Sequence, residues 1–124
     1  MIIQRVALDS LLLKNVCEVR FVRRRPRAGD SPARRMLCTK SYELLNSVNG
    51  RVTLNYAPPR GPKKINEAAE NVLVVWDILM QDYRTINMNS CDLIQQIPDK
   101  DFWEYFNENI YPMSPEQKFN FMNS

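Results

Sequence analysis

Between Arg20 and Lys40 the chain places eight cationic side chains, Arg20, Arg23, Arg24, Arg25, Arg27, Arg34, Arg35 and Lys40, with Asp30 as the one acid among them. Seven are arginines, whose planar fork grips two phosphate oxygens at once where a lysine acts as a point charge. This density of guanidinium groups is the chemistry of polyanion binding. A second group, Arg60, Lys63 and Lys64, lies in the stretch APPRGPKK and extends it. The expected partner is the phosphate backbone of DNA or RNA, held with low sequence specificity, because no residue is positioned to read base edges. Tyr56 offers a ring that either stacks on a base or fills the core. The competing reading is a solvated loop whose arginines pair with acids elsewhere in the chain.

Charge distribution suits both readings. Residues 1–64 hold fourteen Lys or Arg against four Asp or Glu, and residues 65–124 hold three against ten, so a net charge of +3 conceals a polarised chain. Other chemistries fall away. The 124 residues include no histidine, which removes imidazole bases, Ser-His and Cys-His pairs, and histidine metal ligands. Cys17, Cys38 and Cys91 lack C-x-x-C spacing, so neither a metal framework nor a cofactor is expected, and they read as free thiols in a reducing cytoplasm. Cys38, near Arg34, Arg35 and Lys40, is the thiol that neighbouring cations would activate, yet no general base accompanies it. Asp99, Asp101, Glu104 and Glu108 suit the first turns of a helix rather than an acid-base pair. No catalytic set can be named, and an enzyme is not expected. No apolar run reaches the roughly 18 to 20 residues that span a bilayer, and Arg5 and Asp9 interrupt the N-terminal apolar stretch, so a signal peptide is not expected either.

The elements that must carry these residues follow from periodicity. Leu8, Leu11 and Leu12 have helical spacing and predict a short N-terminal helix. Cys17, Val19 and Phe21 alternate with Glu18, Arg20 and Val22, as a half-buried strand does. The turn composition from Arg25 to Pro32, followed by ARRMLCTK, predicts a hairpin with an arginine-rich connection. Ser41, Leu44 and Leu45 predict a helical turn ending at Gly50, with Asn49-Gly50 as a competing hairpin signal. Val52, Leu54 and Tyr56 alternate as a further strand, and Pro58 to Glu70 reads as a loop. Asn71–Asp77, apolar on both faces, predicts a central strand. Tyr83–Met88 and Cys91–Ile97 complete a small sheet. Val19, Phe21, Val74, Trp76 and Ile86 are the expected core.

The last quarter changes character. Phe102, Phe106 and Ile110 recur at i, i+4 and i+8 beside Trp103, an amphipathic helix ended by Pro112. Ser114 is placed to cap a second helix with Pro115 in its first turn, and Phe119 with Met122 makes a short apolar face. These aromatics either pack back on the sheet or dock on a partner protein.

The segments VCEVRFVRRRP, RRMLCTKSYELL and NVLVVWDILMQDYRTINMNSCDLIQQI together resemble the small SH3-like barrel proteins of T-even-type tailed phages. Those proteins show a V-x-F-x-K/R strand, an R-x-M-x-A/C-T strand and a closing V-x-V-x-D … W/Y-R-x-x-N/R pair. The ending is also distantly similar to WYL-type barrels, with Tyr83 standing where tryptophan is commoner. The resemblance covers residues 16–97. It implies a small antiparallel SH3-like β-barrel, and with the helices read from periodicity the expected fold is α+β: a barrel domain over residues 1–97, including the N-terminal helix, and a helical extension over 98–124, outside the resemblance, packing on it. It also implies a phage-encoded accessory protein in the host cytoplasm, away from membranes. The basic residues are then the nucleic-acid contacts. In the alternative function, Phe102, Trp103 and Phe106 bind a host or phage protein such as a polymerase or nuclease.

Overall fold

A computed structural model describes residues 1–59 and 65–124. The chain folds as α+β around a five-stranded antiparallel sheet. Its strands are β1 (Asn15–Val22), β2 (Ala33–Thr39), β5 (Val72–Asp77), β6 (Asp82–Asn87) and β7 (Asp92–Pro98), in the spatial order β6-β5-β2-β1-β7. Helix α1 (Arg5–Leu12) precedes β1, and a single turn α2 (Tyr42–Leu45) follows β2. A small ribbon of β3 (Val48–Asn49) and β4 (Val52–Thr53), the turn α3 (Glu67–Glu70), and the helices α4 (Asp99–Tyr105) and α5 (Pro115–Met122) complete it. Among the described residues no helix is long and apolar enough to cross a membrane.

Alternation along the strands gives the sheet two buried faces. Cys17, Val19, Phe21, Met36 and Cys38 pack on one face with Leu8 and Leu12 of α1, Leu73, Val75 and Ile86. Val16, Leu37, Trp76 and Ile97 pack on the other with Leu44, Leu45 and Phe102. A sheet covered on both faces needs helices on both, which is why the C-terminal segment folds back rather than projecting. Two expectations about the core change accordingly. Val74 is only half-buried while Val75 takes the inward position, and Trp76 belongs to the second face, not to that of Val19 and Phe21.

The sheet is not a closed barrel. β6 and β7 are its two edges and share no ladder; a single 3-10 turn, Met88–Ser90, joins them. Asn87 Nδ2 at the end of β6 donates to the Val22 carbonyl of β1 at 3.0 Å, and Ser90 Oγ accepts from the Val22 amide at 3.2 Å, so the turn is tied to the end of β1. β2 and β5 meet in only two rungs, Cys38 with Asp77 and Thr39 with Trp76, whereas β1–β2 and β5–β6 each form six. The two hairpins therefore diverge beyond those rungs.

Local structure departs from expectation in four further places. The segment 41–50 contains both alternatives in series: Ser41 caps the turn α2, and a hairpin then pairs Asn49 with Val52 across Gly50 and Arg51. Gly50, at φ 64°, supplies the left-handed backbone that this tight loop needs. The strand expected through Tyr56 is thus only Val52–Thr53. In the loop before β5, the Asn66 side chain accepts from the Ala69 amide and nucleates the turn α3. The helix after Pro98 is α-helical through Tyr105 and widens into a π turn over Phe106–Ile110. At α5 the expected cap is present: Ser114 and Gln117 form a reciprocal capping box with Pro115 in the first turn.

Candidate nucleic-acid interface

The hairpin loop between β1 and β2 is built to hold its arginines in place. The Arg23 amide donates to the Pro32 carbonyl at 2.8 Å, and Asp30 Oδ2 accepts from the Arg27 amide at 3.0 Å. Gly29 turns the chain at φ 89°. Opposite this loop stands β6, carrying Arg84. Between them, where the hairpins diverge, lies a cleft of about 880 Å³ lined by six arginines, Arg23, Arg24, Arg25, Arg27, Arg34 and Arg84. Asp30 and Glu70 are the carboxylates that face it, and Phe21, Ile65, Met80 and Met122 supply apolar wall.

The six arginines divide by what already holds them. Arg23 Nη1 donates to the Ser31 and Ala33 carbonyls, both at 2.7 Å, so it serves as a brace across the hairpin. Arg34 is paired through Nη2 with Asp77, which is 1% exposed. Burial pushes the Asp77 carboxyl above its usual range and lowers the guanidinium, while their mutual attraction pulls each back toward its charged form. Arg34 Nε is buried with no hydrogen-bond partner among the described residues. The other four have weak ties or none. Arg24 meets Glu70 at 3.3 Å and Arg84 meets Asp82 at 2.9 Å, both at the surface, where such pairs contribute roughly 0–1 kcal/mol. Arg25 and Arg27 are exposed, and neither forms an ion pair among the described residues.

The remaining cations of the run lie elsewhere. Arg20 and Arg35 are cross-strand neighbours on the opposite sheet face from Arg34. Arg35 pairs with the buried Glu18 at 2.7 Å and lies over the Phe121 ring of α5 at 4.3 Å. Arg20 Nε donates to the Ser124 backbone oxygen at 3.2 Å. Lys40 pairs with Asp9 at 2.6 Å, on the far end of β2. The expectation that all eight form one surface is therefore corrected: five join the cleft, and three sit outside it. Arg60, Lys63 and Lys64 lie outside the described residues. Arg84 was missed because it stands alone in sequence, and only the pairing of β6 with β5 brings it to the hairpin loop.

Tyr56 is half-buried, its hydroxyl 3.2 Å from that of Tyr83 and its ring edge-on to Trp76 and Tyr42, away from the arginine cleft. The base-stacking role is thereby displaced by packing. The aromatic tail also turns inward. Phe102 is 0% exposed, Trp103 Nε1 donates to Ser47 Oγ at 2.9 Å, and Phe106 is half-buried against both rings. Phe102 is therefore core rather than a docking residue, because α4 covers the second face of the sheet. On α5 the inward residues are Phe121 and Met122, and Phe119, expected on that face, is 52% exposed.

All three thiols are buried. Burial pushes Cys17 and Cys91 up to about 12 and Cys38 well above its usual value, outweighing the small lowering by Arg34. The activation of Cys38 by neighbouring cations is thus overturned by desolvation. Among the described residues no group of three or more Cys, Asp or Glu could hold a metal ion. Comparison of the chain with family models, with curated proteins and with solved structures finds no match.

Proposed function

We propose that this chain binds nucleic acid through phosphate contacts in the arginine cleft, with little regard to base sequence. The observation that carries the reading is the convergence of six arginines, four of them with weak ties or none, on one concavity faced by two carboxylates. Folding pairs Arg23, Arg24, Arg34, Arg35 and Lys40 with acids, yet it brings Arg84 to the cleft and leaves Arg25 and Arg27 there without an ion pair among the described residues. A concave site concentrates the field of its cations and draws in anions. The lining side chains offer no exposed ring for a base to stack on, which supports contact through the backbone alone.

The role is binding rather than catalysis, since the chain lacks imidazole and its thiols are enclosed. Sheet order supports a partly open version of the SH3-like arrangement, with its seam between β6 and β7. On this reading the chain is an accessory protein of the phage-encoded kind that its strand motifs resemble. Docking of a polymerase or nuclease through Phe102, Trp103 and Phe106 is the weaker reading, because Phe102 is buried in the chain's own core and Trp103 and Phe106 are partly buried against it.

The test is affinity for DNA and RNA oligonucleotides across salt concentration. Four available arginines predict a log-log slope of roughly −3 to −4, from about 0.7–0.9 per neutralised phosphate. Absence of measurable affinity at low salt would overturn the proposal.

A further inference from the structure

The cations of the cleft come from two directions: the hairpin loop supplies Arg24, Arg25 and Arg27 on one side, and β6 supplies Arg84 on the other. Arg23 and Arg34, the best buried of the six, lie beneath them. Arg34 Nε is a buried donor still lacking an acceptor among the described residues. An internal phosphodiester carries one charge and is tethered on both sides. It suits arginines strung along a surface, each meeting a separate phosphate. A terminal phosphate carries about −1.5 to −2 near pH 7, with three acceptor oxygens, and is tethered on one side. A terminal di- or triphosphate concentrates more charge still in a small volume, matching a site whose cations converge from two sides.

We infer that the cleft is a receptor for a terminal di- or triphosphate group, carried by the 5′ end of a nucleic-acid strand or by a free nucleotide. The inference rests on the phosphate-binding reading and specifies which phosphate the site takes. Ligand orientation follows from the layout. The polyphosphate lies between the hairpin loop and β6, and the attached nucleoside meets the wall of Ile65, Met80 and Met122. Arg23 and Arg34 keep their structural partners and act as a fixed positive base, while Arg25 and Arg27 close on the terminal oxygens.

The absence of histidine makes this testable by pH. A phosphate monoester loses its second proton near pH 6, and histidine is the side chain whose unperturbed pKa shares that window. The groups facing the cleft are the six arginines, Asp30 and Glu70, with Asp77 behind Arg34. Any of those carboxylates ionising as pH rises would subtract positive potential and weaken binding. Binding that strengthens with pH therefore reports ionisation of the ligand.

The experiment compares one 3′-labelled single-stranded decamer bearing a 5′-triphosphate with the same decamer bearing a 5′-hydroxyl, using the full chain. Inorganic pyrophosphate and ATP serve as competitors. The inference predicts at least a tenfold tighter complex with the triphosphate end and competition by pyrophosphate. It also predicts a preference that grows severalfold from about pH 5.5 to 7.5 as the terminal phosphate ionises. Arg25→Gln with Arg27→Gln, two exposed positions whose replacement leaves the core intact, should remove most of that preference. Equal affinity for both decamers, with a normal salt slope, would overturn the inference and leave the phosphate-binding proposal standing. Binding of pyrophosphate and ATP without either decamer would uphold the cleft's ligand class, assign the free nucleotide as its source, and overturn the nucleic-acid proposal. No binding of any of the four would overturn both.

Discussion

Replacing Phe102 by alanine probes whether the C-terminal helix belongs to the fold or to a partner. The ring is fully enclosed, with Trp103 and Phe106 at centroid distances of 5.3 and 5.8 Å and Leu37, Ile97 and Ile110 in the same cluster. Loss of the buried aromatic surface alone costs roughly 1.5–3 kcal/mol. The cavity left between α4 and the sheet adds to this, for a total of about 3–5 kcal/mol. For a chain of this size that lowers Tm by roughly 10–25 °C, and it moves the urea midpoint by about 1.5–3 M at a slope near 1.5–2 kcal/mol per M. Phe106→Ala, at a half-buried position, should cost about half as much. The double variant should fall short of the sum, since the rings touch. Urea unfolding followed by circular dichroism measures all three. An unchanged midpoint for Phe102→Ala would refute the packing argument and return the aromatic face to a docking role.

The buried ion pair makes two further predictions. Arg34→Met leaves Asp77 buried without its cation and should cost about 3–5 kcal/mol, most of it recovered when Asp77→Asn is added; an additive double variant would contradict this. Burial raises Asp77, so the folded chain holds this proton to higher pH than the unfolded chain does. Its contribution is present below the ordinary aspartate value of about 3.9 and is lost as pH rises through the raised folded value. Wild-type stability relative to Asp77→Asn should therefore fall as pH increases above about 4, and urea midpoints showing the opposite slope would contradict the assignment. With Cys17 and Cys91 held near 12 and all three thiols enclosed, an aromatic disulfide reagent at about pH 8 should leave the native chain unlabelled. The same reagent should count three thiols in urea.

Much of the fold was legible because its signals are local. The alternation of Cys17, Val19 and Phe21, the spacing of Leu8 and Leu12, and the Ser114-Pro115 start of α5 each depend on near neighbours, and the structure contains all of them. Barrel closure was not legible, because it depends on whether β6 and β7 pair, and in the sheet they stand as its two separate edges. The site was legible in kind but not in membership. A charge run on a strand cannot form one patch, since adjacent side chains point to opposite faces. Arg34 and Arg35 are consecutive, yet one reaches Asp77 beside the cleft and the other reaches Glu18 beneath α5. Arg84 could be assigned only through the register that pairs it with Val75.

The most direct test of the central claim is the salt slope of nucleic-acid affinity, compared between two sets of full-chain variants. Replacing Arg24, Arg25 and Arg27 by glutamine removes three cleft contacts and should reduce the slope by roughly 2 to 2.7. Replacing Arg20, which lies outside the cleft and contacts Ser124, should leave the slope unchanged. Equal losses from both sets would mean that the whole basic surface, and not the cleft, holds the strand. An unchanged slope for the cleft variant would contradict the account outright.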